Sequence, residues 1–282
     1  MLNAKVLISG ADFFALDQPI NPYYDSKPVN VPEAKAEHRT ILENFYKAEI
    51  EILQVTPPAN SQDGVYTANW GLVRNGKVVL SRLPNARKNE EKYAEAVFRQ
   101  LGLEVIHAPE DWRFSGQGDS LPCGNFLLSG SGYRSDPRAQ KFAAEALGFE
   151  LVQLHAVPKL DASGQPVINS ASGWEDSLFY DIDLAISVLR DDLIAYCPEA
   201  FDEVSRVQIA ALPLQKIEVD YDEAVKGLAC NLVSTGETVI MSAHAPKFQA
   251  EIEKNGLKVL PISAPELARG GGYIRCVSLT IS

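Results

Sequence analysis

The sequence predicts an α/β protein of repeated units, each reading strand, strand, helix, strand. Three observations carry this. Short strand signals and amphipathic helical stretches alternate along all 282 residues, giving about five units of about 55 residues each. Asn75-Gly76 sits between Gly71-Leu72-Val73 and Val78-Val79-Leu80, the residue pair that a two-residue hairpin turn demands. No linker or low-complexity run interrupts the pattern, so residues 1–282 read as a single domain of repeated units rather than a Rossmann sheet.

Taken in order, the strand signals are Val6-Leu7-Ile8-Ser9, Val65-Tyr66-Thr67-Ala68, Val78-Val79-Leu80, Glu104-Val105-Ile106, Asn125-Phe126-Leu127-Leu128 and Glu150-Leu151-Val152. They continue with Leu184 to Leu189, Leu193 to Tyr196, Asn231-Leu232-Val233, Val239-Ile240-Met241 and a last strand from Val277 to Ile281. Helical spacing of apolar residues appears at roughly 33–48, where Ile41, Leu42 and Phe45 recur, and again at 89–102, 137–148, 198–206, 221–228 and 246–255. Thr235-Gly236-Glu237 supplies a second hairpin turn.

Composition narrows the function. The 46% of apolar residues suffices for a well-buried core. A net charge of −11 argues against a nucleic-acid partner. No apolar stretch approaches the roughly 20 residues of a membrane span. Met1 to Lys5 runs straight into a strand without the basic start and long apolar core of a secretory signal, so the cytoplasm is the expected location. Cys123, Cys197, Cys230 and Cys276 are scattered and form no C-x-x-C pair. Neither a zinc site nor a disulfide framework is expected, and no cofactor is implied.

The chemistry-bearing runs are FFALDQPINPYYD (13–25), VYTANWGLV (65–73), FSGQGDSLP (114–122), GYRSDPRA (132–139), LFYDIDLAISVL (178–189), ACNLVSTGETVIMS (229–242) and GGGYIRC (270–276). Most lie at strand ends, where loops carry functional groups on a rigid scaffold. In their order, over nearly the whole chain, these runs resemble those of the guanidino-group-modifying enzymes of the pentein fold. The similarity is to the bacterial dimethylarginine dimethylaminohydrolase, arginine dihydrolase and amidinotransferase-like branch.

The resemblance implies a five-fold pseudosymmetric α/β propeller with its active site in a central channel, in agreement with the five-unit count. It also implies covalent chemistry, in which a cysteine thiolate attacks the guanidinium carbon and a thiouronium-type intermediate forms. That chemistry needs an ionisable thiol, carboxylates for the cation and a proton shuttle. Cys276 falls on the family nucleophile, although a free cysteine is also a common core residue; Cys123, Cys197 and Cys230 read as core. Asp119 and Asp183 fall on carboxylate positions, and Asn69 and Asn21 on positions that contact substrate through an amide. Asp119, Asn69 and Asn21 read equally as turn residues. Arg134 matches the arginine that grips a substrate carboxylate, a task its planar fork suits. Arg87 or Lys88 is a candidate second cation.

Two positions depart from the family. Where its members carry F-Y-H-L-D this chain reads Phe179-Tyr180-Asp181-Ile182-Asp183, so Asp181 stands where the catalytic histidine is expected. Where they carry F-E-G-x-G-D, Ser115 replaces the guanidinium-binding glutamate. An aspartate with an ordinary pKa near 3.9 needs burial or a neighbouring anion to work where a histidine near 6.5 would. His244 and His155 are candidate replacements, while His38 and His107 read as a helix face and a strand end.

The expected function is a cysteine-dependent hydrolase, or a transferase, acting on a guanidino or ureido amino acid such as arginine or methylated arginine. The alternative is a catalytically altered or inactive pentein that binds a small cationic amino acid or a protein partner. Homodimers occur in the family and set the expectation for assembly.

Overall fold

The computed structural model describes every residue of the chain except Ser26, and at Ser131 it describes the backbone alone. Five separate three-stranded sheets are arranged around a common axis. The first unit in the chain is β1 (Lys5–Ile8), α1 (Val31–Lys47) and β2 (Glu51–Gln54). The second is β3 (Gly71–Arg74), β4 (Lys77–Leu80), α2 (Lys88–Gln100) and β5 (Glu104–His107), and the third is β6 (Ser120–Cys123), β7 (Phe126–Ser131), α3 (Pro137–Leu147) and β8 (Glu150–His155). The fourth is β9 (Ile186–Arg190), β10 (Leu193–Tyr196), α4 (Glu203–Ala211) and β11 (Gln215–Glu218). A short α5 (Tyr221–Lys226) leads to the fifth, β12 (Val233–Ser234), β13 (Thr238–Ser242), α6 (Pro246–Lys254) and β14 (Lys258–Ile262). Then α7 (Pro265–Ala268) and β15 (Leu279–Thr280) return to complete the first sheet, in the order β15-β1-β2.

Each sheet pairs its inner strand antiparallel and its outer strand parallel to the middle one, as in Leu7, which faces Leu279 on one side and Leu53 on the other. The parallel step needs a helical crossover, which is why a helix lies between the second and third strand of every unit. Middle strands are the most buried, β10 throughout, while outer strands such as β2 and β5 are half exposed. The 75–76 hairpin forms as expected: Asn75 and Gly76 both have positive φ, at 51° and 74°. Helix α1 begins at Asn30, whose side chain accepts from the Glu33 N–H, with a proline in the first turn.

Several boundaries differ from the sequence reading. The expected strand Val65–Ala68 is replaced by a 3₁₀ turn at Thr67–Trp70. There the Thr67 hydroxyl donates to the carbonyls of Leu7 and Val277, and the Ala68 N–H donates to Cys276 O at 3.1 Å. Polar groups that would pair in a ladder are taken by the axis. The strand expected from Leu184 starts at Ile186, after a 3₁₀ turn at Ile182–Leu184. The helix expected at 198–206 is split, since Asp202 caps the Ser205 N–H at 2.8 Å and starts α4 at Glu203. The last strand is only Leu279–Thr280, because the preceding residues form a turn. Strands β2, β6, β11 and β14 have no counterpart among the sequence signals.

Candidate active site

The unit architecture delivers the site. In each unit the segment leading into the inner strand turns at the axis and leaves a polar side chain there. Asn69 precedes β3, Ser115 and Asp119 precede β6, Asp181 and Asp183 precede β9, Asn231 precedes β12, and Cys276 precedes β15. All seven are buried.

The Cys276 thiol donates to Asp183 Oδ2 at 3.3 Å, and its Sγ accepts from Asn231 Nδ2 at 3.1 Å. Asn231 Oδ1 in turn accepts from the backbone N–H groups of Tyr273, Arg275 and Cys276, at 3.0, 3.0 and 3.2 Å. Across the axis, Asn69 Nδ2 donates to Asp181 Oδ2 at 2.8 Å and to Ser115 Oγ at 2.9 Å. Asn69 Oδ1 accepts from Arg87 Nη1 at 2.7 Å. Asp119 Oδ1 accepts from the Ile182 N–H at 3.0 Å. One oxygen of each carboxylate, Asp119 Oδ2, Asp181 Oδ1 and Asp183 Oδ1, is buried without a hydrogen bond among the described residues.

Buried oxygens of this kind are costly unless a donor or a cation meets them. Burial, then the charge of Asp181, pushes the carboxyl groups of Asp119 and Asp183 well above the usual carboxylate range. Burial, then Asp183 and Asp181, pushes the Cys276 thiol well above its ordinary value. Burial thus favours the neutral forms of the Asp119 and Asp183 carboxyls and of the Cys276 thiol. An incoming cation favours the ionised forms of both the carboxyls and the thiol, so the cluster is built to receive positive charge.

Cys276, Asn69, Asn21 and Arg134 line one small cavity together with Arg87 and Tyr180. It has a volume of ≈ 10 Å³, room for about one water. A cavity of that size admits nothing larger than water unless its lining residues move. Arg134 Nη2 donates to Ile20 O at 2.9 Å, and its guanidinium lies 4.5 Å over the Tyr180 ring. Asn21 Nδ2 donates to Gly270 O at 2.9 Å, tying the first motif to the triple glycine. The glycines are there for close approach: Gly271 has φ +79°, and a Cβ on it would lie 2.7 Å from Asn21 Oδ1 and 2.8 Å from Tyr180 Oη. A larger cavity of ≈ 440 Å³ is lined by Asp183, Gln117 and Arg275. Asp183 thus both lines the larger cavity and hydrogen-bonds the sulfur.

Of the two candidate cations, Arg87 reaches the cavity, held by Glu90 at 2.7 Å, whereas Lys88 is on the surface against Glu91. The candidate histidines are engaged elsewhere. His244 Nε2 lies 3.1 Å from Ser263 Oγ, and His155 stacks on Tyr133. His107 approaches Glu95 at 3.4 Å. His38 is buried on α1, where desolvation holds it down at about 4. Among the described residues the side chains hydrogen-bonded to the sulfur are Asn231 and Asp183, neither of them a histidine. Cys123, Cys197 and Cys230 are buried free thiols. Sequence reasoning missed Asn231 as a site residue, although its ACN run belongs to the ordered motif set.

No protein-family model matches the chain. Among curated proteins, an N(G),N(G)-dimethylarginine dimethylaminohydrolase of Mycobacterium tuberculosis is 32% identical over 273 residues, covering 95% of this chain and 83% of that protein. The bifunctional arginine dihydrolase/ornithine cyclodeaminase ArgZ of Synechocystis is 29% identical over 290 residues, covering 99% of this chain, which spans only 38% of that enzyme's length. Among solved structures, the product-bound N-terminal domain of ArgZ, an arginine dihydrolase from cyanobacteria, superposes with a TM-score of 0.88 at 27% identity, over 99% of this chain and 97% of that one. A citrulline complex of the Pseudomonas aeruginosa dimethylaminohydrolase shares the fold, with a TM-score of 0.76 at 15% identity over 99% of each chain. The five-unit architecture and these relatives agree: the chain belongs to the guanidino-group-modifying pentein family, alongside the dimethylarginine dimethylaminohydrolases and arginine dihydrolases.

Proposed function

We propose that this chain is a cysteine-dependent hydrolase that cleaves a C–N bond of a guanidino amino acid, arginine or a methylated arginine. The observation that carries this reading is the meeting of Cys276 with Asp119, Asp181 and Asp183 on the axis, beside a cavity lined by Arg134 and Arg87. The carboxylates suit a guanidinium, and the two arginines suit the carboxylate at the other end of an amino acid. Asn69, Asn21 and Ser115 are polar contacts along the way.

A guanidinium entering the cluster lowers the thiol and carboxyl pKa values that burial raised, so the cation itself drives ionisation of Cys276. The thiolate attacks the guanidinium carbon. One nitrogen takes a proton, its C–N bond breaks, and ammonia or an alkylamine leaves a thiouronium on the sulfur. Water adds to that carbon and gives up a proton, the S–C bond breaks, and thiolate and a ureido product are released. Asp181, held by Asn69, is the group we assign to proton transfer in place of a histidine. Solved relatives include a covalently bound reaction intermediate and a cysteine-to-serine variant with substrate bound, both of ArgZ. These support covalent catalysis here and favour hydrolysis over amidino transfer.

That no histidine hydrogen-bonds the sulfur among the described residues favours a second reading, capture of a cationic amino acid without turnover. Incubation with arginine and methylated arginines, reading ammonia or amine release and ureido product, separates the two. Release that disappears in Cys276→Ser supports hydrolysis; calorimetric binding with no release supports capture. Four free thiols suit a reducing cytoplasm, and a homodimer is the assembly we expect by sedimentation. Among the described residues, no helix is long and apolar enough to cross a membrane.

A further inference from the structure

We infer that Asn231 is a catalytic residue of this site, its side-chain N–H holding the ionised sulfur of Cys276 while its oxygen clamps the turn that carries the sulfur. This rests on the reading of Cys276 as the nucleophile. An amide side chain has one acceptor end and one donor end, and its neighbours decide which way it faces. Here Oδ1 accepts from three successive-turn N–H groups, those of Tyr273, Arg275 and Cys276. A flipped amide would oppose three donors with its own N–H. The donor end must therefore face Sγ, as it does at 3.1 Å.

Asn231 is fully buried, so water does not compete for this contact. Among the described residues the other side chain hydrogen-bonded to the sulfur is Asp183, which accepts a hydrogen bond from the thiol and whose negative charge disfavours the thiolate. Asp181 adds further negative charge nearby. Asn231 thus supplies the side-chain hydrogen bond that favours the charged sulfur, and hydrogen bonds to charged groups are the strong ones. The ACN run of the sequence acquires a task that the guanidinium-binding chemistry leaves unassigned.

Two substitutions separate donor from clamp. Asn231→Asp keeps an acceptor for the three backbone N–H groups and removes the donor. Asn231→Ala removes both and adds no charge. The readout is the rate of Cys276 alkylation by iodoacetamide at mildly alkaline pH, located by peptide mass spectrometry, with Cys276→Ser as control. Both variants are expected to react about ten- to hundred-fold more slowly than the unaltered protein. A slow Asn231→Asp with a normal Asn231→Ala would trace the effect to added charge, and the reverse would make Asn231 a purely structural clamp. Either result overturns the assignment. Should Asn231→Asp fail to fold, an Asn231→Ala rate within about two-fold of the unaltered protein overturns it alone. Alkylation needs no guanidino substrate. Slow alkylation in both variants, in a protein that turns over no guanidino compound, would leave the hold of Asn231 on the sulfur standing while the hydrolase reading, and with it the catalytic role, fell.

Discussion

Replacing Asp183 by asparagine is expected to make the Cys276 thiol more acidic while making the protein less active. Asp183 Oδ2 lies 3.3 Å from Sγ. Two unit charges at that separation repel by roughly 5 kcal/mol at an effective dielectric of about 20. Burial and Asp181 push the Asp183 carboxyl up and so disfavour its charge, which makes that figure an upper bound on the repulsion relieved. The sign is unaffected: a neighbouring anion disfavours the thiolate, so its removal moves the thiol midpoint down, by about one unit for each 1.4 kcal/mol relieved. The assay is the ultraviolet absorbance of the thiolate from neutral to alkaline pH, taken as the difference between Asp183→Asn and the same protein carrying Cys276→Ser. Turnover of a guanidino substrate is expected to fall roughly hundred-fold or more, because the cation loses a carboxylate near the sulfur. A folded Asp183→Asn whose midpoint is unmoved or raised would refute the account of the sulfur's surroundings.

Three further outcomes follow from the same geometry. Asp119, like Asp183, binds its proton more tightly in the folded chain than in the unfolded one. Its contribution to stability is full below the ordinary carboxylate pKa of about 4 and is lost as pH rises through the raised native value. Asp119→Asn should therefore melt above the unaltered protein at mildly alkaline pH, by roughly 2–4 °C per kcal/mol relieved, with the gap closing towards acid; a gap that widens in acid contradicts this. Gly271→Ala forces a Cβ against Asn21 and Tyr180 at positive φ, and should cost more than about 1 kcal/mol by denaturant unfolding. It should also lower kcat, because the same run positions Cys276. Arg134→Lys should raise KM about ten-fold and leave kcat within about two-fold, as expected for loss of a fork that grips substrate and transition state alike; a kcat loss with normal KM would place Arg134 in the chemistry instead.

Much of the fold was legible locally. Helices α3 and α6 begin at prolines, Gly148 ends α3 in the left-handed region, and Asn75-Gly76 turns its hairpin, all through backbone preferences that need no distant contact. The strand-strand-helix-strand order follows from such signals, and with it the count of five. The turns at 67–70 and 182–184 were not legible, because Thr67, Ala68 and Leu184 read as strand while polar groups of these turns are satisfied by segments far along the chain.

The site divides the same way. Through the resemblance of its ordered motifs, the sequence by itself pointed to Cys276, Asp119, Asp181, Asp183 and Asn69 as the residues of one site. It also determined that Asp181 and Ser115 stand where a histidine and a glutamate are expected. Only the tertiary structure decided what faces the sulfur. Asn231 is 45 residues from Cys276 and Asp183 is 93 away, and neither pairing has a local signature. Cys276 lies in a turn rather than a strand, so alternation along the chain says nothing about its direction. Its orientation is set by three backbone N–H groups converging on one buried amide oxygen, an arrangement that exists only once the fifth unit has closed the ring.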